Sequence, residues 1–192
     1  MPEAREHYQR ALEQSRALGL DQREADALHG MASIAAAESR LDDAQALYEE
    51  VLAMRRREPQ DYNLATALAN GASTAIDRGD AVLAKARMLE LLGLLEPIGS
   101  RYVALHTLRL TGKLLALLGD AEAATRMAAA AQRSRDETGQ HWNPAAGKEW
   151  DADQAALRRA LGDPAYDAAW RTGFTMDEPT GLAYGEARLR AT

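Results

Sequence analysis

The sequence predicts an all-α fold, a right-handed α-solenoid of antiparallel helix pairs with about nine helices. Three observations carry the prediction. Ala44, Tyr48 and Val51 return forty residues later as Ala84, Met88 and Leu91, and again as Ala124, Ala128 and Ala131. One step earlier the slots hold Ala4, Tyr8 and Ala11. Spacing of i, i+4, i+7 is one face of a helix, and a fixed step marks an internal repeat. Next, Gly79-Asp80 and Gly119-Asp120 fall at one phase of that step. Glycine takes the left-handed position that ends a helix, and aspartate caps the next. Last, alanine is abundant, valine and isoleucine are scarce and there is a single phenylalanine, a composition that suits helices better than sheets.

The elements follow in order. Residues 1–18 read as one amphipathic helix, the second half of a repeat whose first helix is absent, so the chain reads as beginning in mid-repeat. Asp21-Gln-Arg-Glu24 has capping-box spacing and opens a helix to about Arg40, with Leu41-Asp42-Asp43 turning the chain and capping the next. Pro59 breaks that helix after Arg57. The second pair runs over 61–96 with a break at Pro97, and Ser100 caps the third pair, 100–139. A whole-chain domain, 1–192, thus comprises a half repeat 1–18, repeats 21–57, 61–96 and 100–139, and an atypical capping region 141–192. In that last region Asn143-Pro144 starts a helix. Gly162-Asp163-Pro164 leads into a short one, and Thr175-Met-Asp-Glu178 has capping-box spacing for the last. The three tryptophans and Phe174 lie here, as a cap covering an exposed apolar end would need.

Composition excludes several classes. A net charge of −6 suits a nucleic-acid backbone poorly. With no cysteine there is neither a disulfide framework nor a thiolate zinc site. No leader-like segment and no membrane-length apolar run is present, which predicts a cytoplasmic protein without membrane contact. His7, His29, His106 and His141 are scattered over different units with no metal spacing. The sequence therefore predicts no catalytic residues, no metal, no cofactor and no enzyme. Arg55-Arg56-Arg57 reads as cations at a helix C-terminus rather than a nucleic-acid contact.

Leu28, Met31, Ala32, Ala35, Ala44, Tyr48 and Val51, then Leu68, Gly71, Ala72, Ala75, Ala84, Met88 and Leu91, resemble tetratricopeptide repeats, although the family's step is shorter than forty residues. The tail has its own resemblance. Leu161-Gly162-Asp163, Tyr166, Ala169-Trp170, Gly173 and Asp177-Glu178 look like the C-terminal signature of bacterial LuxR-type, large ATP-binding transcriptional regulators, which carry a helical-repeat sensor arm. Phe174 and Pro179-Thr-Gly181 depart from that pattern. The chain has no phosphate-binding loop and no basic recognition helix.

The repeat resemblance implies a non-catalytic module that takes a protein or peptide partner, or sister domains of a longer regulator, in a groove lined by the first helix of each pair. By register that groove carries Asp26, His29, Ser33, Thr66, Asn70, Ser73, Asp77, His106, Arg109 and Lys113. Asn70 matches a slot that grips peptide backbone in the family. Ser33 and Leu110 stand where a carboxylate clamp would need asparagine and arginine, so a chaperone's C-terminal carboxylate is not expected. Arg109 and Lys113, one turn apart, suit an acidic peptide group. The alternative is a homodimer or assembly scaffold using the apolar face of the first helix.

Overall fold

The computed structural model describes residues 2–57, 61–141 and 143–192. The proline break at 58–60 and Trp142 lie outside the described residues. Those described form ten helices and no strand, one helix more than expected. They are α1 (Pro2–Leu18), α2 (Asp21–Ala37), α3 (Leu41–Arg55), α4 (Asp61–Asp77), α5 (Ala81–Ile98), α6 (Arg101–Leu117), α7 (Ala121–Thr138), α8 (Pro144–Leu161), α9 (Asp163–Phe174) and α10 (Glu178–Ala191). Within α1–α5 and within α6–α9 each helix packs on the next, as in tetratricopeptide-like repeats. Contacts divide the chain into two compact units, Met1–Ile98 and Gly99–Thr192.

The chain corners explain the pairing. Positive φ recurs at Gly19, Ser39, Gly79, Gly99, Gly119 and Gly139, each a multiple of twenty residues from the others, while Gly162 in the tail falls outside that step. At four of these corners two hydrogen bonds close the helix. The left-handed residue donates to the carbonyl three back, and its successor donates five back: Gly79 to Ile76 and Asp80 to Ala75, Gly119 to Ala116 and Asp120 to Leu115, with the same pair at Gly19 and Ser39. This is the Schellman arrangement. The residue after each corner holds the cap slot. Asp80 accepts from the Leu83 amide and Asp120 from the Ala123 amide, both at 3.0 Å. The equivalent slots at 20 and 40 are Leu20 and Arg40, which have no acceptor to offer.

Two expected caps therefore do not form. Asp21 is the first residue of α2 and no side chain caps that helix; Glu24 instead accepts from Arg16 at 2.8 Å. Asp42 and Asp43 lie inside α3, where they pair with Arg78 and Arg40. Pro97 does not break α5, which continues to Ile98. A proline in the last turn removes one intrahelical bond, too little to stop the helix before it. At the start of α10 the cap is Asp177, accepting from Thr180 at 3.0 Å, rather than Thr175. Pro179 fits the first turn, where its missing N–H has no intrahelical role. Ser100 and Asn143 cap α6 and α8 as expected.

In unit 1, α1 to α5 pack each on the next. Ala44 and Ala84 are fully buried, Ala44 in a cluster with Ala32, Ala35 and Tyr48. Buried apolar surface of this kind is the main stabilising term. A buried arginine ties three helices together. Arg87 of α5 donates to the Gly71 carbonyl of α4 at 2.6 Å, to Gln45 at 3.0 Å and to Glu49 of α3 at 2.5 Å. Tyr8 of α1 lies against Gly30 of α2, where an added Cβ would stand 2.3 Å from its ring.

In unit 2, α6 and α7 cross at Gly112, where a Cβ would meet the Ala124 carbonyl oxygen and the Met127 Cβ at 3.3 Å. The tail departs from the repeat. α9 packs along α7 far more extensively than α8 does, and α10 lies across α6 and α7. Glycines make these approaches. A Cβ on Gly173 would stand 2.2 Å from the Arg126 carbonyl oxygen, and one on Gly185 2.8 Å from Thr111. The expected aromatic cover is partial. Trp150 is buried and Trp170 stacks on Tyr166 at 5.8 Å, but Phe174 is 41% exposed. Glycine contacts close α9 and α10 onto the pair without needing that ring.

Candidate partner-binding site

The first helices of the pairs position the candidate residues. His29 and Ser33 sit one turn apart on α2; Asn70, Ser73 and Asp77 follow one face of α4; His106, Arg109 and Lys113 do the same on α6. The first five belong to unit 1 and the last three to unit 2, so each set forms its own surroundings.

In unit 1, helices α1, α2 and α4 with the end of α3 line an open cavity of about 480 Å³. Asp26, His29 and Ser33 line it from α2, Tyr8 from α1, Arg55 from α3, and Tyr62, Asn63 and Thr66 from α4. Asn70 reaches it indirectly. Its Nδ2 is 2.8 Å from His29 Nε2, so the amide donates to an unprotonated ring nitrogen and the ring proton sits on Nδ1. That matches the electrostatics. Burial and then the Arg55 guanidinium lower the His29 pKa, Asp26 opposing them, and the imidazole is neutral. Ser33 Oγ lies 3.0 Å from the His29 carbonyl and 3.0 Å from the Tyr48 hydroxyl. Burial raises the Tyr48 phenol, so it stays protonated. Ser73 is half-buried and Asp77 exposed, one and two turns along α4, and neither lines the cavity.

The chemistry is therefore neutral and hydrogen-bonding, with His29, Ser33, Asn63 and Thr66 between Tyr8 and Tyr62. Arg55 is 2% exposed and paired with Asp26. Arg56 holds Glu90 of α5 through two bonds of 2.9 and 2.7 Å. Two of the three arginines in the basic run are thus engaged within the chain.

The sequence reading missed Asn63, Tyr8, Tyr62 and Arg55 as lining residues. Asn63 was legible, since 63, 66, 70, 73 and 77 follow one helical face. Tyr8 and Tyr48 share one repeat slot, but nothing in that slot distinguishes a core ring from one at a cavity edge.

In unit 2, Arg109 and Lys113 both donate to Glu149 of α8. The acidic group they meet is the chain's own. Burial would raise the Glu149 carboxyl, but Lys113 and Arg109 outweigh burial and hold it below its ordinary value. His106 is pushed down by burial and by Arg109, with Glu149 opposing, and its buried Nδ1 has no hydrogen-bond partner among the described residues.

Among the described residues no group of three or more His, Cys, Asp or Glu side chains could hold a metal ion. No helix among them is long and apolar enough to cross a membrane. Residues 1–57 match the family model described as Tetratricopeptide repeat. The match covers α1 to α3, which carry most of the unit 1 cavity. No curated protein matches the chain.

Proposed function

We propose that the chain is a non-catalytic protein-interaction module, residues 1–192 acting as one repeat domain, and that unit 1 receives an extended peptide segment of a protein partner. The observation that carries this reading is the neutral array of His29, Asn70, Ser33, Asn63 and Thr66 at the cavity. A peptide backbone presents alternating donors and acceptors, and neutral amide, hydroxyl and imidazole groups satisfy both without leaving a buried charge unpaired. The tetratricopeptide match over 1–57 supports it, since such repeats generally mediate protein–protein contact. Ser73 and Asp77 extend the proposed partner surface along α4 within unit 1, and His106, Arg109 and Lys113 are proposed as a separate partner contact on α6 of unit 2.

The test is selection of peptides from a displayed library on the intact chain, followed by binding to His29→Ala and Asn70→Ala. Affinity should fall about tenfold or more in both variants with the helical spectrum unchanged. Equal binding to parent and variants would remove the groove from the function.

The resemblance of Leu161–Glu178 supports a finer proposal, that the module is the C-terminal sensor portion of a bacterial signal-transduction or transcriptional regulator acting in the cytoplasm. Its partners would then include sister domains, and co-purification of the chain with those domains expressed separately tests it. One observation favours self-assembly as a second reading: Leu18 at the end of α1 is 70% exposed, with Leu20 exposed beside it. Sedimentation at rising concentration decides this, and a strict monomer rejects it.

A further inference from the structure

Because α9 rather than α8 packs along α7, the wedge between α6, α7 and α8 stays open as a cavity of about 320 Å³. It is a cleft open to solvent on one side, its inner end set against buried residues of α6 and α7. Gly112, Ala124 and Ala128 form its floor, Trp150 is one wall, and the exposed Ala156 and Ala160 lie at its rim. The floor carries nothing larger than a methyl group, so a flat molecule can lie against α6 and α7. The indole of Trp150 offers an aromatic partner.

The charges decide the ligand class. Arg109, Lys113 and Asp153 are the ionisable groups lining the cavity, and Glu149 accepts from both cations. With Glu149 counted, the site is neutral. An ion entering it would lose hydration without gaining an uncommitted counter-charge. We infer that unit 2 carries a binding site for a small, uncharged, largely apolar molecule with an aromatic ring, its polar end directed to Gln154 at the mouth. The volume suits roughly 15–20 non-hydrogen atoms. This site is separate from the peptide groove proposed for unit 1 and does not depend on it.

The experiment titrates the intact chain with N-phenyl-1-naphthylamine, an uncharged dye that fluoresces in apolar surroundings. Binding should saturate at one dye per chain and weaken by about tenfold or more in Ala156→Phe and Ala160→Phe, which fill the cavity from its exposed rim. The anionic dye 8-anilino-1-naphthalenesulfonate should bind the parent about tenfold more weakly than the neutral one. Absence of saturable binding, binding unchanged in both variants, or a sulfonate that binds as well as the neutral dye would overturn the inference. Should either variant melt below the parent, the parent alone decides. Naphthalene must then show nuclear Overhauser contacts to the Trp150 ring, and their absence also overturns it.

Discussion

Ser39 is the only described residue other than glycine with positive φ, at 59°. A side chain in that region crowds the following carbonyl by about 1–2 kcal/mol, partly offset by the extra freedom glycine loses on folding. Ser39→Gly should therefore raise stability by about 0.5–1 kcal/mol, read as a higher denaturant midpoint; an unchanged or lower midpoint would show that the corner tolerates serine without strain. The opposite logic governs Gly173. Its neighbour is backbone, the Arg126 carbonyl at 2.2 Å from an added Cβ, and backbone cannot rotate aside. Gly173→Ala should cost about 1–3 kcal/mol, and a melting curve identical to the parent's would mean α9 can retreat freely. Arg87 is the third informative residue. Its removal takes the donor from Gln45 Oε1 and a second donor from the Gly71 carbonyl, which keeps its own helical bond, so Arg87→Met should cost about 1–2 kcal/mol, while its pair with the half-exposed Glu49 adds little.

At the scale of elements, the forty-residue register makes the sharpest demand. Ala84 is wholly buried at the α4–α5 crossing, and helix axes approach to within roughly 8–10 Å only when the side chains between them are small. Ala84→Leu should overpack that crossing and cost about 1–3 kcal/mol; an unaltered melting midpoint would refute the register. The register was legible because alanine at equal spacing has no better explanation than packing. The cap slots were legible only where aspartate filled them, at Asp80 and Asp120. Where Leu20 and Arg40 stand instead, nearby Asp21, Asp42 and Asp43 read as caps, because sequence shows an acceptor near a helix start but not the phase of the corner. The displacement of α8 from α7 had no signal. Asn143-Pro144 marks a helix start wherever that helix goes, and nothing in the sequence around Gly173 and Gly185 says which helix each will meet.

For the molecule as a whole, half-buried neutral histidines couple folding to pH. His29 and His106 both have lowered pKa values, each through burial and a neighbouring arginine. Above about pH 6.5 both are neutral whether folded or unfolded. Below it the unfolded chain takes up protons that the folded chain refuses, so stability falls as pH falls through that value toward the lowered ones. Stability measured by denaturant should thus decline from about pH 6.5 toward about pH 5, before Asp120 and Glu149 lose their partners. Replacing both histidines with glutamine should flatten that decline; an equally steep curve would assign it to other groups. Of the candidate site, the α4 face was readable from spacing alone. The engagement of Arg109 and Lys113 by Glu149 was not, since a glutamate on α8 gives no hint in sequence of which helix it will reach.

The regular corners also bear on how such a chain changes length. Gly79-Asp80 and Gly119-Asp120 stand at identical points of the cycle, each closing one helix and capping the next. Joining Gly79 directly to Asp120 would regenerate the same junction with one full period missing, and duplicating the segment would regenerate it with one added. Growth or loss by whole periods preserves every corner, whereas an indel of any other size leaves a helix facing the wrong neighbour.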